Sequence, residues 1–143
     1  MTHRSSRTYK LLLSEKGVDF FLSSHCRLAH LVQDFIPYGM TLHVAMLLLR
    51  QAELSDLIAD LTERECGSFA GGITHYVGTS HAVSELTNVI LDRLECSGEL
   101  STAPPVRMLY ILALLALRDA SDQDILAAVR QVAHSDMPVT QAT

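Results

Sequence analysis

Two stretches of this chain, LHVAMLLL at residues 42–49 and VRMLYILALLAL at residues 106–117, are apolar on almost every side of a helix. A helix with no polar face is stable only when other elements cover it all round. Both stretches are therefore expected to form central helices, with the rest of the chain supplying their cover.

The two are also alike. Laid together without a gap, residues 37–59 and 105–127 agree at Pro37/Pro105, Met40/Met108, Ala45/Ala113, Leu47/Leu115, Leu49/Leu117, Arg50/Arg118, Ala52/Ala120, Asp56/Asp124 and Ala59/Ala127, nine identities in 23 positions at an offset of 68. In each copy an arginine stands near the end of the apolar helix, where a cation offsets the helix macrodipole. An aspartate follows early in the next helix, where an anion is favoured. Upstream of Pro37 and Pro105 the same offset yields no identity. Two explanations fit, a duplicated structural unit and convergence on common residues.

At 143 residues the chain is long enough to bury a core of its own, and one domain is expected. Apolar residues make up 48% and charged residues 19%, which excludes a disordered chain, while the absence of Trp makes the core aliphatic. A net charge of −5 works against broad attraction to phosphate backbones or anionic lipid, so nucleic acid is disfavoured as a partner. Three widely spaced cysteines suggest no disulfide framework and point to a reducing cytoplasm. Leu11 to Leu13 is too short for a signal h-region, and no segment reaches the length of a membrane span.

Periodicity predicts an all-α fold, a compact bundle of about six helices in two related helical-hairpin halves. Residues 1–8 are expected to be flexible, 9–134 to form one helical domain, and 135–143 to be a loose tail. The halves span about 18–65 and 80–134, joined by a Gly-rich loop at 66–79 that holds four of the seven glycines. Within this layout residues 9–16 form a short helix ended by Gly17, and 18–36 form an amphipathic one. Thr41 caps the first apolar helix, and 53–65 form another amphipathic helix. Ser80 caps the helix that Gly98 ends, Pro105 opens the second apolar helix, and Ser121 with Asp124 caps the last.

No chemical constellation stands out. Cys26 and His30 are four apart and could supply two zinc ligands, with Cys66 or His75 added, but no CxxC or HExxH spacing accompanies them. Ser80 or Cys66 could pair with His75 or His81 as nucleophile and base, yet no third group orients the base. GSFAGG lacks the Lys and hydroxyl residue of a phosphate-binding loop. No enzyme activity, cofactor or metal is expected.

The segment VILDRLECSGELSTAPPVRMLYIL, residues 89–112, resembles the recognition helix, glycine turn and wing of winged-helix regulators. That resemblance implies DNA binding and a strand hairpin after Gly98, although APP falls in the wing and Arg93 is the helix's one fixed cation. The paired-helix layout is also similar to the small tetratricopeptide-like chaperones of type III secretion. The leading expectation is a protein-interaction module, an adaptor, chaperone-like or regulatory subunit, that binds a partner helix or self-associates. Its contact residues would be Leu54, Leu57 and Leu61 with their counterparts Ile125 and Val129. Mean hydropathy of +0.21 supports an excess of apolar surface. The winged-helix DNA-binding regulator is the alternative, and strand content separates the two.

Overall fold

A computed structural model describes residues 6–136. Its elements run β1 (Ser6–Leu13), α1 (Glu15–Val32), α2 (Tyr38–Gln51), α3 (Leu54–Thr62), α4 (Arg64–Ser68), β2 (Ile73–Ser80), α5 (Ala82–Ser97), α6 (Val106–Asp119) and α7 (Asp122–Asp136). The fold is mostly helical but not all-α, because β1 and β2 pair as a two-stranded antiparallel sheet. The chain thus follows one order twice, strand, long helix, apolar helix, amphipathic helix, with the short α4 between the copies. Of the termini expected to be flexible, 1–8 and 135–143, residues 6–8 instead belong to β1 and 135–136 to α7, and residues 1–5 and 137–143 lie outside the described residues.

Both strands correct the sequence reading. Residues 9–16 are not a helix: Tyr9, Leu11 and Leu13 are buried while Thr8 and Lys10 are exposed, the alternation of a half-covered strand. The Gly-rich stretch 66–79 is not simply a loop, since α4 and most of β2 occupy it. Gly17 ends no helix either. It lies in the first turn of α1, where its N–H donates to the capping Ser14 Oγ at 3.0 Å and an added Cβ would fall 2.1 Å from the Phe69 carbonyl oxygen.

The two apolar stretches form α2 and α6, which pack on each other at the centre as expected. Residues 42–49 of α2 are all buried, and so are Leu109–Leu115 and Leu117 of α6. Thr41 does not cap α2. The helix begins at Tyr38 after Pro37, and Thr41 sits buried within it, bonded to His25 Nδ1 at 2.7 Å. Ser80 does not cap α5 either, whose N-cap is His81, although its Oγ accepts from the Ala82 N–H at 3.1 Å. Gly98 closes α5 in the left-handed region at φ 70°, and Asp124 N–H donates to Ser121 Oγ at 3.1 Å.

The copies are wrapped around each other. Helix α1 packs on α6 and α7, and α5 packs on α2 and α3, so each long helix covers the opposite copy. Gly17, Phe21, Ser24 and Leu28 are the buried positions of α1, and Val83, Thr87, Ile90 and Leu94, each 66 residues later, are buried in α5. The correspondence is thus 66 residues for the strand and first helix and 68 for the second. The change falls where the α5–α6 connection, residues 98–105, exceeds the α1–α2 connection, residues 33–37. At the junction the antiparallel register sets Lys10 opposite Tyr76, residues 66 apart, so the strand pair has an approximate two-fold axis through it.

Candidate functional site

The pairing of β1 with β2 sets Thr8 opposite Gly78, Lys10 opposite Tyr76 and Leu12 opposite Thr74. Because side chains alternate along a strand, these six share one face. The other face carries Tyr9, Leu11, Leu13 and Val77, all buried against the helices. The first face is turned outward: Thr8, Lys10, Thr74, Tyr76 and Gly78 are exposed, and Leu12 is half-buried.

Helices α2 and α6 both begin beside this ribbon. Gly39, in the first turn of α2, approaches β2 so closely that an added Cβ would lie 2.1 Å from the Gly78 carbonyl oxygen. Pro105, Val106 and Arg107, at the start of α6, share a concavity of about 540 Å³ with Arg7, Thr8 and Lys10 of β1. Neither Pro37 nor Pro105 offers a side-chain cap. The first N–H groups of each helix therefore lack the side-chain acceptor that a Ser, Thr or Asp would supply, while the Met40 and Met108 N–H groups donate to the Pro37 and Pro105 carbonyls at 3.0 and 2.9 Å. The ribbon is flanked on both sides by a helix start.

The two flanks differ in chemistry. On the α6 side, Arg7 Nη1 donates to Ser84 Oγ at 2.9 Å, the buried Tyr9 donates from its hydroxyl to the Ser80 carbonyl at 2.8 Å, and Lys10, Asn88 and Arg107 are exposed. Burial, with Tyr9 adding to it, raises the Tyr110 hydroxyl above its usual range, so it stays a neutral group. On the α2 side, a concavity of about 270 Å³ is lined by Leu11, Val18, Phe21, Leu22, Tyr38 and Tyr76, among others. Leu22, Tyr38 and Tyr76 are exposed there at 46%, 55% and 67%, and Ile73, at the start of β2, at 38%. His25, its ring 4.6 Å from Tyr38, has its pKa lowered by burial, which favours its neutral form.

Acidic residues gather at the opposite pole, where α2 and α6 end. Glu53, Asp56, Asp60, Glu63, Asp119 and Asp124 rim a concavity of about 760 Å³ there. Burial first, then Glu63, Asp119 and Asp56, raise the Asp60 carboxyl above its usual range, and Arg118 opposes this in part. Each central helix has 14 residues, a length of about 21 Å at 1.5 Å per residue, which exceeds the roughly 8 Å screening length at physiological salt. The negative net charge is thus concentrated away from the ribbon.

The residues expected to bind a partner are placed otherwise than their amphipathic pattern suggested. Leu57 and Ile125 are core residues, 1% and 0% exposed, and Leu54, Leu61 and Val129 are half-buried against the same core. The segment that resembles a winged helix has no strand between Gly98 and Pro105, and Arg93 is bonded to the carbonyls of Arg50 and Ala52 at 2.6 and 3.0 Å. That part of the chain forms no wing.

Cys26 and Cys96 are exposed, and Cys66 is buried. Burial, followed by Asp60, Glu63 and Glu65, pushes the Cys66 thiol up to about 11, which keeps it protonated and a poor nucleophile. Among the described residues no group of three or more His, Cys, Asp or Glu is placed to hold a metal ion, and no helix is long and apolar enough to cross a membrane.

The ribbon itself was missed by the helical reading. Its local signal was the alternation from Thr8 to Leu11, and its long-range signal the pairs Thr8/Thr74, Ser14/Ser80, Arg27/Arg93 and Leu28/Leu94 at an offset of 66. Compared with protein-family models, curated proteins and solved structures, the chain matches none.

Proposed function

We propose that this chain binds duplex DNA by laying the outer face of the β1–β2 ribbon in the major groove. The carrying observation is the exposed face of Thr8, Lys10, Leu12, Thr74, Tyr76 and Gly78, set between the uncapped starts of α2 and α6. A B-form major groove admits a two-stranded ribbon, and hydroxyl, ammonium and apolar side chains can read base edges there. Helix N-termini on either side suit the phosphates that border the groove. Arg7, Lys10 and Arg107 add fixed positive charge, and the acidic pole lies beyond the screening length. This work is recognition without catalysis.

The test is fluorescence anisotropy with the full chain and labelled duplexes over a range of salt. Affinity is expected to fall linearly in log–log form as salt rises, and Lys10→Ala to weaken it. A folded protein that binds no duplex at low salt sinks the proposal.

A second reading is a protein-interaction module, favoured by the exposed Leu22, Tyr38 and Tyr76 on the α2 flank. Light scattering over a range of concentrations tests its self-associating form. Association that Leu22→Gln and Tyr76→Ser abolish supports it, and a monomer at every concentration removes that form.

A further inference from the structure

We infer that the DNA site has no two-fold symmetry, with phosphates held mainly on one flank of the ribbon; this rests on the DNA reading above. An exact two-fold in a protein presents the same side chains to both halves of a duplex and selects a palindrome. Here the axis relates Val18 to Ser84, Phe21 to Thr87, Leu22 to Asn88 and Tyr76 to Lys10, at the 66-residue offset that superposes the buried faces of α1 and α5. At the helix starts it relates Tyr38 to Val106 and Gly39 to Arg107, 68 residues apart.

Apart from Gly39, these residues line the two concavities beside the ribbon. Val18, Phe21, Leu22 and Tyr76 on one flank become Ser84, Thr87, Asn88 and Lys10 on the other. The backbone frame is thus repeated while its chemistry is not. Arg7, Lys10, Asn88 and Arg107 make one flank cationic and rich in donors, suited to phosphate oxygens. The other flank offers Leu22, Tyr38 and Tyr76, which suit apolar contact such as a thymine methyl group. A duplex therefore seats in one orientation, its strands contacted unequally.

The experiment selects binders of the full chain from duplexes with a randomised core, then maps phosphate contacts on a selected duplex by ethylation interference. The expected result is a non-palindromic motif with interference concentrated at one end. A second variant, Leu22→Asn with Tyr76→Lys, copies the polar flank onto the apolar one at two exposed positions. It is expected to steepen the salt slope by about 1 and shift the selected motif toward a palindrome. A palindromic wild-type motif with symmetric interference overturns this inference and leaves the DNA reading standing. Recovery of no duplex overturns the DNA reading itself. If the double variant fails to fold, the wild-type interference pattern still decides.

Discussion

Arg27 and Arg93 end each other's central helices. Arg27 donates to the carbonyls of Leu117, Arg118 and Ala120 at 2.9, 3.1 and 2.9 Å, at the end of α6 in the opposite copy. Arg93 donates to Arg50 and Ala52 at the end of α2, the same acceptor positions less one. The unsatisfied carbonyls of a helix C-terminus carry partial negative charge, and a planar guanidinium can serve several at once.

Replacing either arginine by alanine is expected to destabilise the fold by about 1–3 kcal/mol, the range for charged hydrogen bonds. Lysine should recover only part, because a point charge cannot span acceptors as a fork does. Urea unfolding checks both, and an alanine variant within about 0.5 kcal/mol of wild type, ordinary for a surface change, would show that these contacts hold nothing.

The exchange of covering helices gives a second expectation. A chain cut between Gly71 and Gly72 separates the copies, leaving α2 without α5 and α6 without α1. Each fragment alone should show little cooperative unfolding, and the two mixed should recover the native circular dichroism and elute together. Two independently stable fragments would contradict the wrapped arrangement.

Leu57 and Ile125 fill corresponding core positions, 68 residues apart. Truncation of either to alanine should cost about 2–5 kcal/mol, and aspartate at either should prevent folding. Circular dichroism and thermal melts measure this. A folded Leu57→Asp protein would mean the stripe is accessible after all.

Asp60 carries a testable sign. Its folded-state pKa lies above the ordinary value of 3.8, so the folded chain holds the proton more tightly than the unfolded chain. The ionised carboxylate then costs stability at neutral pH, and this penalty is relieved as pH falls through the folded pKa toward 3.8. Asp60→Asn should raise the urea midpoint at pH 7, with the gain shrinking in mild acid. A lower midpoint at pH 7 would refute the sign.

The central pair was legible because the long apolar runs Val44–Leu49 and Met108–Leu117 leave a helix no exposed side, and α2 and α6 follow from that alone. The capping of α7 by Ser121 and the stop at Gly98 were equally local. The ribbon was not, because β1 finds its partner more than 60 residues away and Leu12 interrupts the alternation of Tyr9, Leu11 and Leu13. The repeat showed only over its second half, since the change of offset between α5 and α6 hides the Arg27/Arg93 match at 68. The stripe of Leu54, Leu57 and Leu61 was read correctly as one face, but amphipathicity does not say whether that face meets a partner or the chain's own α5 and α6.

Joining both strands of the ribbon in one polypeptide has a consequence for dilution. A ribbon made from two separate chains forms by a second-order encounter and falls apart as the protein becomes scarce. Here β1 and β2 are tethered through the folded segment of residues 14–72, so their pairing is first-order and does not depend on protein concentration. The surface they build is therefore complete in every single molecule, whatever the number of copies present.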